Sequence, residues 1–239
     1  MPVSDDAAVA IRRYDYSETS QVVTLFTRDH GKVRAIAKGI KRGTKTRVAT
    51  GIDLLEIGRV VFTARSERTE SLAIITEWKQ TQPIGGLRRR LFRIYAGVYA
   101  AEITAYLMED WDPHAPLFHA LVSCLATLSD AEEPFAAAIA YQRAALTAAG
   151  SMPELGRCVL CGRERDLTHF AALEGGMVCR RCAAGLVEKR EVTDATRRAL
   201  ARDDLRGSPT GVFRLLDYHI AHAIGRQPLV AASVLGGAD

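Results

Sequence analysis

The chain has 239 residues, with 32 lysines and arginines against 28 acids, so its net charge is only +4. Its apolar content, 48% of residues, is ample for the cores of one to three modules. No apolar run approaches the roughly 20 residues of a membrane span, and the start Met1-Pro-Val-Ser-Asp-Asp lacks the basic head and apolar run of a secretion signal, so a reducing cytoplasm is expected.

The first eighty residues read as strands. Residues 8–14 form a short candidate, and 21–27 are rich in β-branched and aromatic side chains. Asp29-His30-Gly31-Lys32 is a turn, with Gly31 able to take positive φ. Residues 33–38 alternate, which puts Lys32, Arg34 and Lys38 on one face. A basic loop spans 39–51, and strands are expected over 53–63 and 72–78. Five short strands in this length suggest a small closed barrel such as an OB fold, with an SH3-like barrel as the alternative.

Charge is concentrated in this barrel. The window 28–47 holds Arg28, Lys32, Arg34, Lys38, Lys41, Arg42, Lys45 and Arg47 against one acid, Asp29, so it carries +7 while the rest of the chain sums to −3. A localised cationic region on a near-neutral body points to a polyanion such as nucleic acid. Tyr14, Tyr16 and Phe26 are candidates for stacking on bases, although aromatic residues in strands commonly belong to the core.

Pro83-Ile-Gly-Gly86 breaks the strand pattern and sets a first boundary. Leu87, Leu91, Ile94, Tyr95, Val98, Ala101 and Ala105 then recur at helical spacing. Arg88, Arg89, Arg90 and Arg93 lie at the start of that helix, where they could extend a DNA track or accept an acidic partner. Asp110, Asp112 and His114 sit among prolines and read as an interhelical loop rather than an acid–base set. A second helix is expected to about 128, with Cys124 on its apolar stripe as a packing residue, and a third from 133 to 150.

Cys158-Val-Leu-Cys161 and Cys179-Arg-Arg-Cys182 follow, separated by seventeen residues. This spacing describes a four-thiolate Zn2+ site, with two disulfides, a redox pair or metal-free cysteines as alternatives. Gly162 suits the positive φ of a knuckle. Four thiolates close the tetrahedron and leave no position for water, so the metal is structural. Arg180 and Arg181 could reach phosphate or simply offset the thiolate charge. Two more helices are expected over 193–204 and 208–225, and His219 and His222 on the latter make a poor metal pair without a third ligand. The tail, 230–239, is expected to be partly disordered. No P-loop, dinucleotide, nucleophile-elbow or H-E-x-x-H motif occurs, which counts against an enzyme.

Residues 16–39, Tyr-Ser-Glu-Thr-Ser-Gln-Val-Val-Thr-Leu-Phe-Thr-Arg-Asp-His-Gly-Lys-Val-Arg-Ala-Ile-Ala-Lys-Gly, resemble the N-terminal barrel signature of the RecO family of bacterial DNA repair and recombination mediators. Leu146-Thr-Ala-Ala-Gly150, Pro153 and Leu155, leading into Cys158-x-x-Cys161-Gly162, resemble that family's helix-to-zinc junction. The resemblance implies an α+β chain: a five-stranded OB-fold barrel over 1–82, a helical domain over 83–157 and 183–239, and a zinc finger inserted at 158–182. It also implies binding of single- and double-stranded DNA, strand annealing, association with RecR and with the single-strand binding protein, and help in loading RecA, without covalent chemistry. Family members do not all keep the cysteines, which implies an architectural metal. An RNA-binding or transcription-associated zinc-ribbon module is the competing reading.

Overall fold

The structure is a computed structural model that describes residues 2–41, 51–64, 71–130, 134–202 and 207–236. Five strands, β1 Val3–Asp15, β2 Gln21–Thr27, β3 Gly31–Ala37, β4 Ile57–Thr63 and β5 Ala73–Gln82, close into a barrel in the order β1-β2-β3-β5-β4. Neighbours run antiparallel except β3 and β5, which are parallel. This is the expected OB-type barrel.

Strand alternation sorts the side chains. Ala8, Ala10, Val23, Leu25, Val33, Ala35, Val60 and Phe62 fill the barrel interior, and the small alanines let so narrow a barrel close around the larger residues. Val9, Ile11, Phe26, Leu55 and Ile57 face outward into a second core shared with the helices. Phe26 is fully buried and lies 6.3 Å from Phe118. The barrel and the helices therefore fold around one apolar layer rather than meeting at a polar interface.

The expected strand over 53–63 is shorter than read, beginning at Ile57. The preceding turn holds Leu55 at φ 70°. Leu55 N–H donates to Ala10 C=O at 2.8 Å and Ala10 N–H to Glu56 C=O at 2.9 Å, which tucks the Leu55 side chain into the shared core. The first helix also starts later than its periodicity suggested. Gly85–Arg89 forms a 3-10 turn, Arg90 is extended, and α1 runs Leu91–Leu107. Gly86 packs so closely on the Ser129 backbone that a Cβ there would lie 2.4 Å from its carbonyl oxygen, and this contact holds the tight turn in place.

Helices α2 Ala115–Asp130 and α3 Pro134–Ala148 pack beside α1. A small sheet follows, formed by β6 Leu167–Ala171, β7 Gly176–Cys179 and β8 Arg190–Glu191 in the order β7-β6-β8, with the short helix α4 Arg180–Ala183 after β7. Helices α5 Asp194–Arg202 and α6 Pro209–Ala223 complete the helical layer. The tail differs from the disordered segment expected: Ala231–Gly236 forms α7, which buries Ala231 and Val234 against the helical core. Leu229 N–H donates to both carboxylate oxygens of Glu102, each at 2.9 Å, and so anchors the chain just ahead of α7. Local composition could not reveal that anchor, because Glu102 lies far away in sequence.

A buried polar network ties α1, α3 and α6 together. Tyr99 O–H donates to Asp217 at 3.0 Å, Gln142 donates to the Tyr99 oxygen at 2.8 Å, and Gln227 donates to Asp217 at 2.6 Å. Burial pushes the Asp217 carboxyl above its ordinary range, although the Tyr99 and Gln227 donors pull it back. A raised folded pKa means the acid favours folding when protonated, and this contribution is lost as pH rises from about 4 through the folded value. Asp217→Asn is therefore expected to remove part of the loss of stability over that window. Urea midpoints of both chains from pH 4 upward check it, and parallel curves would contradict the assignment.

Candidate metal centre and nucleic-acid interface

The two cysteine knuckles are built by backbone hydrogen bonds. Gly162, at φ 73°, donates to Cys158 C=O at 2.8 Å, and Cys158 N–H donates to Arg163 C=O at 2.7 Å. Val159 N–H donates to Met177 C=O at 3.0 Å, which docks the first knuckle on β7. Cys179 ends β7 and Cys182 lies on α4, so the strand-to-helix turn supplies the second pair. The four Sγ atoms lie within 4.8 Å of one another, and Cys161 and Cys179 are 3.8 Å apart. A tetrahedral ion with metal–sulfur bonds of about 2.3 Å has edges of about 3.8 Å, so the set fits one ion with four thiolate ligands.

The electrostatics agree. Burial raises the Cys158 thiol, but backbone N–H donors of Cys179, Leu160 and Cys161 outweigh it and bring the thiol down to about 6. Cys179 is lowered by the Cys182 N–H. Cys182, crowded by the sulfurs of Cys161 and Cys179, rises to about 12. Four thiolates at this separation need a cation to share. Bound there, the ion would brace β6–β8 and α4; the closed donor set leaves it no reactive position. Cys124 is unrelated: it is buried, donates to Ala137 C=O at 3.6 Å, and its thiol is pushed up to about 12 by burial.

Other candidate groups have structural partners. His219 is buried with Nε2 2.8 Å from Ser151 C=O, and His222 Nδ1 lies 2.9 Å from Tyr218 C=O, so the two imidazoles do not converge on a metal. Asp110 pairs with Lys32 at 3.1 Å, and His114 accepts the Leu117 N–H at 3.2 Å. Arg180 and Arg181 are exposed on α4.

The cationic residues separate into distinct environments. Lys32 is largely buried; its ammonium donates to the Ala105 and Met108 carbonyls at 2.9 and 2.6 Å, capping the C-terminus of α1. Arg93 donates to Ser129 C=O at 2.5 Å. Arg28 pairs with Asp29 at 2.7 Å. Arg34, Lys38, Arg89 and Arg90 are exposed. Arg88 pairs with Asp53, which also lies 3.4 Å from Arg13. Lys41 pairs with Asp15 at 2.5 Å, at the end of β1. Arg42, Lys45 and Arg47 lie outside the described residues.

Registers across β1, β2 and β3 arrange the outer face in rows. Arg12 is opposite Thr24, which is opposite Arg34; Tyr14 is opposite Val22, which is opposite Ile36. Opposed residues share a face, so a cationic row lies beside a row of flat and apolar side chains. Tyr14 and Tyr16 are 62% and 70% exposed and free to stack, whereas Phe26 belongs to the core. Lys41 and the Arg13–Asp53–Arg88 cluster extend the cationic surface along the end of β1. This combination suits a chain of phosphates carrying planar bases. Arg12 and Arg13 were missed by sequence reasoning. Their signal was the run Arg12-Arg13-Tyr14 directly after the apolar stretch 7–11.

Comparison with known proteins gives two family matches that together run from residue 1 to residue 204, two residues past the end of α5. Residues 1–84 match the family described as recombination protein O N terminal, and 88–204 match recombination protein O C terminal. A protein named DNA repair protein RecO from Rhodopirellula baltica is 33% identical over 179 residues, covering 73% of this chain and 65% of that protein. The Anaeromyxobacter dehalogenans strain 2CP-C protein of the same name is 35% identical over 196 residues, covering 81% and 76%. The Bacillus subtilis protein of that name is 29% identical over 174 residues, covering 73% and 66%. The chain thus spans about two thirds to three quarters of these relatives.

Proposed function

Since the chain belongs to the RecO family of DNA repair proteins, we propose that it is a non-enzymatic recombination mediator that binds single- and double-stranded DNA and anneals complementary strands. With RecR it helps load RecA onto DNA coated by the single-strand binding protein, whose acidic tail it receives on the helical domain. The reading places it in the cytoplasm at the nucleoid; among the described residues no helix is long and apolar enough to cross a membrane. It divides the chain into a barrel over 1–82, helical parts over 83–157 and 183–239, and a zinc-braced insert over 158–182.

The observation that carries it is the paired rows on the outer face of β1–β3, Arg12–Thr24–Arg34 beside Tyr14–Val22–Ile36. Arginine and lysine there neutralise phosphates and release counterions. A cationic surface that holds two backbones lowers their repulsion, which favours pairing of complementary strands. We assign Arg34, Lys38, Lys41, Arg88, Arg89 and Arg90 to this surface, with Arg28 at its margin, and retain Arg42, Lys45 and Arg47, which lie outside the described residues, as DNA contacts by their charge alone. Lys32 acts indirectly, by holding the barrel on α1, and Arg93 by holding α1 to α2.

The test is salt-dependent binding of a fluorescent single strand. The logarithm of affinity should fall with log salt at about 0.7 per phosphate contacted. Replacing Arg34, Lys38 and Lys41 by alanine should flatten that slope by about two units while leaving the thermal transition nearly unchanged. An unchanged slope would put the surface elsewhere, and absence of binding at low salt would overturn the function. A strong preference for RNA over matched DNA would favour the zinc-ribbon RNA reading.

A further inference from the structure

A cavity of about 380 Å³ opens at the seam between the barrel and the helices, lined by Ile11, Leu54, Val98 and Val230 among others. Its volume falls in the roughly 300–1,000 Å³ range of small-ligand sites, which are typically apolar with a few placed polar groups. Those groups are present. The Arg12 guanidinium lies 4.4 Å over the Tyr106 ring, and Arg226 lies 5.0 Å from the same ring and donates to its hydroxyl at 2.7 Å. Tyr14 and Leu229, 62% and 74% exposed, stand on the wall.

From this we infer that the cavity is a subsite for one unstacked base of a single strand. The reading rests on the nucleic-acid assignment above and deepens it. Arg12 and Tyr14 belong both to the rows on the barrel face and to the cavity wall, so a strand crossing that face passes the opening. The Arg12 guanidinium, stacked on the Tyr106 ring, and the exposed Tyr14 ring offer flat surfaces to a planar base, and the Arg226 guanidinium, held by the Tyr106 hydroxyl, suits a flanking phosphate. Glu102 chooses between occupants. Its carboxylate lines the cavity and is held by the Leu229 N–H, leaving acceptor capacity and no donor. That repels an acidic peptide and favours a base with an exocyclic amino group, as carboxylates do with cytosine.

The experiment uses the full chain and 12-mer oligodeoxynucleotides of cytosine or thymine at pH 7, with folding checked by urea unfolding. The cytosine strand is expected to bind about fivefold more tightly or better, from one charge-assisted hydrogen bond. Val98→Phe, which fills the cavity, should erase this preference without changing the salt slope, and Tyr106→Ala, which removes the ring that holds Arg12 and Arg226, should erase it as well. Glu102→Gln keeps an acceptor for Leu229 and adds donors, and should shift the preference toward thymine. A 2-aminopurine placed in a thymine strand should be quenched by the parent chain and not by Val98→Phe.

Tight binding without base preference, or a preference that survives both Val98→Phe and Tyr106→Ala, overturns the subsite and leaves DNA binding standing. Loss of all binding at low salt takes down both. An acidic peptide whose binding is lost in Val98→Phe while base preference persists would reassign the cavity to a protein partner.

Discussion

Serine at Cys179 is expected to cost the chain its capacity to hold a metal ion on the four-thiolate cluster, and with it the order of the surrounding module. Cys179 ends β7 and contributes to the module's small core with Cys158, Leu167, Phe170 and Val178. Its sulfur lies 3.8 Å from Cys161, at the separation one tetrahedral ion imposes. Three β-strands of five, four and two residues bury too little to be stable alone, whereas four-thiolate zinc supplies on the order of 10 kcal/mol in small zinc-finger peptides. Elemental analysis should find one metal per parent chain and none in Cys179→Ser. Proteolysis should then cut within 158–192, and stability should fall by several kcal/mol. Because the rows on β1–β3 are built without the module, single-strand affinity at moderate salt should change little. Cys124→Ala is the contrast: it should keep its metal, since that thiol packs between α2 and α3. A metal-free Cys179→Ser chain with unchanged stability would show that the four thiolates brace nothing.

Alanine at Gly31 should be the most damaging small substitution in the barrel. Gly31 sits at φ 69°, and a Cβ there would lie 2.2 Å from the Asp112 carbonyl oxygen and 2.7 Å from its nitrogen. Those are backbone atoms and cannot swing aside as a side-chain tip can. Loop 109–112 is itself committed to β3: Trp111, at φ 60°, donates its N–H to Lys32 C=O at 3.0 Å, and its ring lies 6.1 Å from Phe62. Relief of the clash means breaking this dock and loosening the Lys32 cap on α1. Left-handed backbone costs a non-glycine residue about 1–2 kcal/mol and overpacking about 1–3 kcal/mol more, so Gly31→Ala should lose about 2–5 kcal/mol. Gly225 separates the two effects, because it has φ 71° and no atom lies within 4 Å of where an alanine methyl would stand. Gly225→Ala should lose only the backbone share. Equal losses in denaturant unfolding would show that the Asp112 contact carries no weight.

Much of this protein is legible in its residue order. Alternation in 31–37 fixes which side chains face the barrel interior, because the strand period is two, and Gly31 and Gly162 take the positive φ their turns required. The spacing of Cys158, Cys161, Cys179 and Cys182 specifies a four-thiolate cluster, which the fold assembles. Other features could not be read locally. Lys32 shares an outer face with Arg34 by sequence, yet it is buried under α1 because carbonyls more than seventy residues later need a cap. Phe26 looks like a stacking platform until Phe118 covers it. The tail gains order because Glu102 anchors its entry and Ala231 and Val234 pack into the helical core.

By itself the residue sequence determined the barrel, the helical periods, the cysteine cluster and the sign of the charge on the first module, all of which depend on spacing along the chain. The tertiary structure alone decided which cations remain available. Packing helices against the barrel commits Lys32 and Arg93 to carbonyls and leaves Arg34 and Lys38 open to solvent. It also brings Arg88 to Arg13 through Asp53 and Tyr106 to Arg12. The physical reason is that a buried ammonium must find hydrogen-bond partners, wherever in the sequence those lie, before any remaining charge can serve a ligand.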